Sequence, residues 1–487
     1  MKTIFDKRNI SMMMDLYELT MANSYYLLSD RDKKVAFDVF YRKNPDNGGF
    51  AVFAGLEQVI QYLTEMHFSE SDIEYLRSLK LFDESFLNYL KDFRFRGDLY
   101  AFPEGTIMYP YEPIITIVAP LIDAQLVETE ILAQINHQSL IATKARRIMR
   151  AADGRAVSDF GARRAHNNDA AILGARACYI GGVNGTATVS AGKYFGIPVG
   201  GTMAHSFVMY YQDELTAFRN FAKIYPDNCI LLIDTYDVLE SGLPNAIKVF
   251  QEMKEAGIKS KNYGIRIDSG DLAYLTKETR KRLDSAGFTD ARIVVSNSLD
   301  EYTISSILDQ GAKIDSFGVG ERMITSKSEP VFGAVYKMCA VEEDDGHFLP
   351  RIKVSEAVEK ITNPGLKEVY RVYMKDGHAA CDLITKKGEK PDVKNHYRFV
   401  DPEKPWKEHY FDDCSLKKLQ KLYVHEGKRV IEPESLEDIR DYVKKQLDGE
   451  IWDEEQRFEN PHIHYLDMSP EYYEMKMDML YKKHKEN

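Results

Sequence analysis

From residue 156 to about residue 341 short apolar runs alternate with amphipathic stretches, and no other feature restricts the fold of this chain so tightly. The strand-like runs are 157–160, 178–183, 199–203, 229–234, 264–268, 292–296, 316–319 and 335–341, with helical spacing between most of them. Apolar strands separated by helices imply a parallel sheet covered on both faces. About eight of them in this length predict an irregular βα barrel rather than an open doubly wound sheet. Such a barrel carries its chemistry at the carboxyl ends of the strands. The polar segments that follow the strands, at 159–164, 184–186, 202–205, 234–237, 266–271, 296–298 and 318–321, are therefore expected around one mouth.

The flanks differ in character. Residues 13–28 repeat apolar side chains every three or four positions, as a helix does, and 35–41 alternates like a half-buried strand. Strand-like runs at 98–109 and 114–120 close an N-terminal α/β domain, 1–120, and a long helical stretch from 123 to 152 opens the barrel domain, 121–345. An acidic turn at 342–346 begins a small C-terminal α/β extension, 346–487, with a hairpin expected near Asp376 and Gly377. The net charge of −12 disfavours nucleic acid and anionic membranes as partners. No apolar run approaches the roughly 18 residues of a membrane span, and the charged start does not read as a signal peptide, so the expected location is the cytoplasm. Five cysteines are scattered without a Cys-x-x-Cys pair, which predicts reduced, buried thiols rather than disulfides or a zinc knuckle.

Residues 196–212 hold the most pointed segment. Pro198 and the pair Gly200–Gly201 punctuate an apolar run, and the turn that follows delivers His205 just after Thr202. A lone histidine is more often packed than catalytic; its company decides. Gly318 and Gly320 at a strand end suit an anion, because glycines let backbone N–H groups approach it. Asp268, Gly270 and Asp271 offer two carboxylates around a flexible residue, suited to a ribose diol or to Mg²⁺ carried by a phosphorylated sugar, while Asp271 serves equally well as a helix N-cap. Arg163, Arg164 and Arg266 supply cations for phosphate or carboxylate, and Phe160 supplies a face for a flat ring. Asp234 and Asn297 complete the expected rim, with Asp234 or Asp237 as candidates to orient the imidazole of His205. A phosphorylated ribose and a flat, negatively charged base would use all of these groups. A lyase or isomerase acting on a sugar phosphate remains open, although it wants a lysine or a carboxylate base at a strand end; so does a non-catalytic ligand-binding protein.

Segments 15–21 (Asp15 to Met21), 158–164 (Ser158 to Arg164), 200–206 (Gly200 to Ser206), 267–271 (Ile267 to Asp271) and 317–321 (Phe317 to Glu321) closely resemble the nicotinate phosphoribosyltransferase family, a likeness that covers roughly residues 10 to 370. The resemblance implies transfer of ribose 5-phosphate from phosphoribosyl pyrophosphate to nicotinate, with Mg²⁺ required and ATP hydrolysis coupled through a phosphohistidine at His205. It implies that Phe160 and Arg163 hold the pyridine ring and its carboxylate. Arg266 and Asp268 would then contact the phosphoribosyl part, the turn from Gly318 to Gly320 the 5′-phosphate, and either Asp268 or Asp271 the Mg²⁺. It also implies a homodimer with composite sites, in which Tyr17 reaches the neighbouring subunit. A nicotinamide-using relative is the nearest rival, and the doubled arginine at 163 and 164 favours nicotinate.

Overall fold

The computed structural model describes residues 8–28, 30–402 and 404–486. They form two compact units, one of residues 144–330 and one combining the chain before 144 with the chain after 330.

Unit 144–330 is built on six parallel strands: β1 (Ala156–Asp159), β2 (Gly185–Thr186), β3 (Cys229–Leu232), β4 (Tyr263–Ile267), β5 (Arg292–Ser296) and β6 (Ser316–Val319). Their order is β2-β1-β6-β5-β4-β3, and every pair is parallel. Read as a circle this is the chain order itself, closed between β6 and β1 and open between β2 and β3. The result is the irregular βα barrel the alternation predicts. Alternate residues on the face opposite Arg266 and Gly318, such as Leu231, Ile265, Ile267, Ile293, Val295, Phe317 and Val319, are buried, as strands covered on both faces must be. Helices Asn168–Ile180, Leu243–Glu255, Leu272–Ser285 and Glu301–Asp309 follow β1, β3, β4 and β5.

Three of the expected strands turn out otherwise. Residues 178–180 are the last turn of helix Asn168–Ile180, which Asn167 caps by accepting the Ala170 N–H at 2.8 Å; the strand comes later, at β2. A short apolar run in a buried helix looks like a strand, because periodicity alone does not separate the two. The run 199–203 contributes one bridge, Thr186 to Val199, and no strand, since Gly200 and Gly201 lie exposed beyond Pro198. The third run is a strand, Val335–Glu342, but it pairs antiparallel with Lys34–Phe40 in the other unit's seven-stranded sheet.

That second unit is α/β on both flanks. Helix Leu16–Leu27 starts at a capping box in which Asp15 and Glu18 exchange bonds with each other's backbone. A separate six-stranded sheet holds most of the C-terminal strands, including the expected hairpin, Lys367–Tyr373 against Ala379–Lys386. Among the described residues no helix is long and apolar enough to cross a membrane.

Candidate active site

Because the six strands run parallel, their carboxyl ends open on one side, and the polar residues just beyond them meet there. At the end of β4, Arg266 and Asp268 lie side by side. The Arg266 Nε donates to Ser296 Oγ at 2.8 Å and its Nη2 to Asp268 Oδ1 at 3.4 Å. The Ser296 hydroxyl in turn donates to the same Asp268 oxygen, so serine, arginine and aspartate form one clamp across β4 and β5. Beyond β3, Asp234 Oδ2 accepts the Asp268 backbone N–H at 3.0 Å and the Ser269 hydroxyl at 2.6 Å. Its Oδ1 is buried and has no hydrogen-bond partner among the described residues.

The imidazole of His205 joins this group. His205 opens the short helix His205–Tyr210 in the gap between β2 and β3. Its Nδ1 lies 3.1 Å from Thr235 Oγ1 and its Nε2 3.9 Å from Asp268 Oδ2. With its side chain 41% exposed, it is open to a ligand rather than locked in a core. The residue that orients the ring is Thr235, not Asp234 or Asp237; Asp237 is occupied in capping the turn that follows, accepting from Leu239 and Glu240 N–H.

Phe160 follows β1, held by its N–H to Val319 O at 2.8 Å. The Arg266 guanidinium sits over its ring, 5.2 Å from the centroid. A Cβ on Gly318 would come within 2.4 Å of two ring carbons, so a glycine is needed there to make room for the phenyl group. A Cβ on Gly320 would lie 3.3 Å from the Phe160 carbonyl, a second close approach in the same turn. Just before Phe160 in the chain, buried Asp159 accepts from Thr186 Oγ1 at 2.7 Å and from the Gly161 N–H at 2.8 Å, while burial pushes its carboxyl above the usual range.

Sequence profiles of the nicotinate phosphoribosyltransferase N-terminal domain, family and C-terminal domain match residues 12–136, 155–345 and 366–476 in turn. The nicotinate phosphoribosyltransferase of Bacillus subtilis is 42% identical over 478 residues, which span 98% of this chain and 96% of that protein. The crystal structure of human nicotinic acid phosphoribosyltransferase superposes with a TM-score of 0.83 at 26% identity, covering 96% of this chain and 99% of the human one. A nicotinate-nucleotide pyrophosphorylase structure from Pyrococcus furiosus gives 0.69 at 25% identity, over 92% and 99%. The chain belongs to the nicotinate phosphoribosyltransferase family. It is therefore an enzyme of that type, with its six-stranded barrel inside the segment that the family profile matches.

The remaining residues expected at the site have settings of their own. Arg163 lies exposed in the 3₁₀ turn Ala162–Arg164, just beyond Phe160, with no ion pair among the described residues. Thr202 is half-buried, its Oγ1 enclosed and without a hydrogen-bond partner among the described residues. Gly270 takes φ +84°, a value that favours glycine, and Asp271 caps helix Leu272–Ser285 by accepting the Tyr274 N–H at 3.0 Å. The cap role expected for Asp271 thus occupies one of its oxygens. Asn297 and Ser298 have φ of 97° and 41°, two successive left-handed residues at the end of β5, a concentration of backbone strain typical of functional sites. Tyr17 belongs to the other unit, where it is 44% exposed on helix Leu16–Leu27 and burial together with Glu128 holds its phenol well above the usual value.

Sequence reasoning did not single out Thr235 or Ser296, although each sits in a polar segment at the end of a strand. Their signal was position: a hydroxyl at the last residue of a barrel strand or up to three residues past it. Among the described residues no three His, Cys, Asp or Glu side chains converge to hold a metal ion. Asp268 Oδ2, 3.9 Å from the His205 ring, and Asp234 Oδ1, without a hydrogen-bond partner among the described residues, fit an ion that takes one or two carboxylates and draws its remaining ligands from substrate oxygens, which is how Mg²⁺ is usually held.

Proposed function

We propose that this enzyme transfers ribose 5-phosphate from phosphoribosyl pyrophosphate to the ring nitrogen of nicotinate, forming nicotinate mononucleotide and pyrophosphate, and couples the reaction to ATP hydrolysis through phosphorylation of His205. The observation that carries the reading is the exposed imidazole between Thr235 and Asp268, beside the Arg266, Ser296 and Asp268 clamp. The pyridine nitrogen attacks C1′ as the bond from C1′ to the pyrophosphate oxygen breaks; the nitrogen supplies the electron pair and the pyrophosphate leaves with the other. Positive charge grows on the sugar and negative charge on the leaving group, so carboxylates beneath the ribose and cations at the phosphates both lower the barrier. Asp268 and Asp234 serve the first role and Arg266 the second. Mg²⁺, held by Asp268 with either Asp234 or Asp271 and by substrate oxygens, would supply further positive charge to the phosphates. Phe160 and Arg163 take the pyridine ring and its carboxylate, with a guanidinium suited to that planar anion.

A phosphoryl group moved from ATP to His205 adds charge at the rim and biases the site toward tight substrate binding; its later hydrolysis releases the bias. The enzyme acts in the cytoplasm as a homodimer whose Tyr17 reaches the neighbouring site, and the five cysteines, all buried free thiols, are in keeping with a reducing compartment. The test is pyrophosphate release from nicotinate and phosphoribosyl pyrophosphate, with and without ATP, by wild type and His205→Asn. Slow release with no ATP stimulation is expected of the variant. Full stimulation would remove His205 from the coupling, and no release by wild type would remove the activity.

A further inference from the structure

In the unit that carries the C-terminal sheet, strands Glu408–Phe411 and Tyr465–Met468 and the turn after Trp452 border an open cleft of about 400 Å³. None of its lining residues belongs to the chemistry described above. Phe411, Trp452 and Tyr465 give it aromatic walls, and His409, His462 and Glu454 are its polar groups. Among the described residues no lysine or arginine lines it, and Glu454 is paired from outside the lining by Arg457 Nη2 at 3.3 Å. The volume is that of a small-molecule site, typically roughly 300–1,000 Å³.

The walls are fixed. The Trp452 indole N–H donates to Ala379 O at 3.2 Å, and His378 stacks on the indole at 4.1 Å with an interplanar angle of 13°. His409 packs against Tyr465 with ring centroids 4.8 Å apart and a 63° tilt. Its Nδ1 lies 3.0 Å from Oδ2 of Asp467, a fully buried carboxylate whose other oxygen has no hydrogen-bond partner among the described residues. A carboxylate behind Nδ1 keeps the proton on that nitrogen and leaves Nε2 as an acceptor. The His409, His462 and Glu454 set is not placed to hold a metal ion, since no such group converges among the described residues.

These observations define the occupant. Stacking walls call for a flat ring, and the acceptor at His409 Nε2 calls for an N–H donor. Three aromatic side chains around 400 Å³ exceed what one six-membered ring fills. We propose that the cleft binds the base of an aminopurine nucleoside, stacked against Trp452, with its exocyclic amino group donating to His409 Nε2.

The chain has two tryptophans, and Trp406 is 76% exposed, so full-length Trp406→Phe leaves Trp452 as the only indole reporter. Adenosine is expected to quench its fluorescence saturably below about 1 mM, and inosine, which has a carbonyl in place of the amino group, at least about fivefold more weakly, the scale of one lost hydrogen bond. Adding His409→Phe should weaken adenosine by a similar factor while leaving inosine unchanged. No saturable quenching by adenosine up to about 5 mM, equal affinities for the two nucleosides, or tighter binding of nicotinamide than of adenosine each overturns the proposal. The comparison between ligands needs no variant of the cleft, so it stands even if His409→Phe does not fold.

Discussion

Gly318→Ala separates two readings of the turn after β6. The added methyl would lie 2.4 Å from two carbons of the Phe160 ring, whereas carbon atoms in contact sit roughly 3.5–4.0 Å apart, so the ring has to withdraw by more than about 1 Å. Backbone on either side is fixed: Gly318 pairs with Ser158 and Ser296 in the sheet, and the Phe160 N–H bonds Val319 O. The ring therefore moves rather than the strand. Overpacking of this kind costs about 1–3 kcal/mol, and misplacing a group that positions substrate by about 1 Å costs up to ~100-fold in rate. If Phe160 is the platform for the pyridine ring, the KM for nicotinate rises about 5- to 150-fold, the same free energy at ~1.4 kcal/mol per decade, while that for phosphoribosyl pyrophosphate changes little. Steady-state kinetics with each substrate varied in turn reads this directly. Phe160→Leu, which lacks the clashing ring atoms, should restore the stability lost in Gly318→Ala, so the pair departs from additivity in chemical denaturation. A larger rise in the KM for phosphoribosyl pyrophosphate than for nicotinate would refute the argument and return the glycine to the phosphate.

Thr235→Val removes the partner of His205 Nδ1 and is expected to lower ATP stimulation by about 2- to 10-fold, the worth of one hydrogen bond, with the basal transfer rate kept and Thr235→Ser restoring the loss; a proportional fall in basal rate would mean a structural role. Arg163→Ala, at an exposed position, should raise the KM for nicotinate far more than that for phosphoribosyl pyrophosphate, and equal rises would exclude it as the carboxylate partner. Glu18 supplies a pH test. Burial pushes its carboxyl from 4.5 up to about 7, its Oε2 is enclosed without a hydrogen-bond partner among the described residues, and bonds from Thr129 and Asp15 only partly offset this. The folded state thus holds a proton that the unfolded state releases, so the contribution is complete below pH 4.5 and is lost as pH rises through about 7. Glu18→Gln keeps the acceptor oxygen and should flatten stability between those limits and raise it above pH 7; an unchanged slope in thermal unfolding against pH would refute the assignment.

Strands β1, β3, β4, β5 and β6 were legible to within two residues because each is a short apolar run ended by polar residues, and the same boundaries placed Phe160, Asp234, Arg266, Asp268 and Gly318 on one rim. What the pattern could not supply was partnership. Thr235, Ser269 and Ser296 are ordinary hydroxyl residues until the fold brings them to carboxylates and an imidazole 28 or more residues away in the chain, and neither spacing nor composition records that approach. The misread run at 199–203 carries the larger lesson. Its apolar character asks for a strand, but Pro198 has no N–H to give a ladder and the glycines after it have no side chains to pack, so pairing stops at the single bridge from Thr186 to Val199. The barrel is left open at that point, between β2 and β3. A full strand there would have carried residue 205 past a closed rim; the failed one releases the chain into a short helix that begins at His205 and turns its imidazole toward Thr235 and Asp268. The local weakness of this segment as a strand is thus what gives the histidine its exposure, and it is the same break in the pattern that made the segment hard to read.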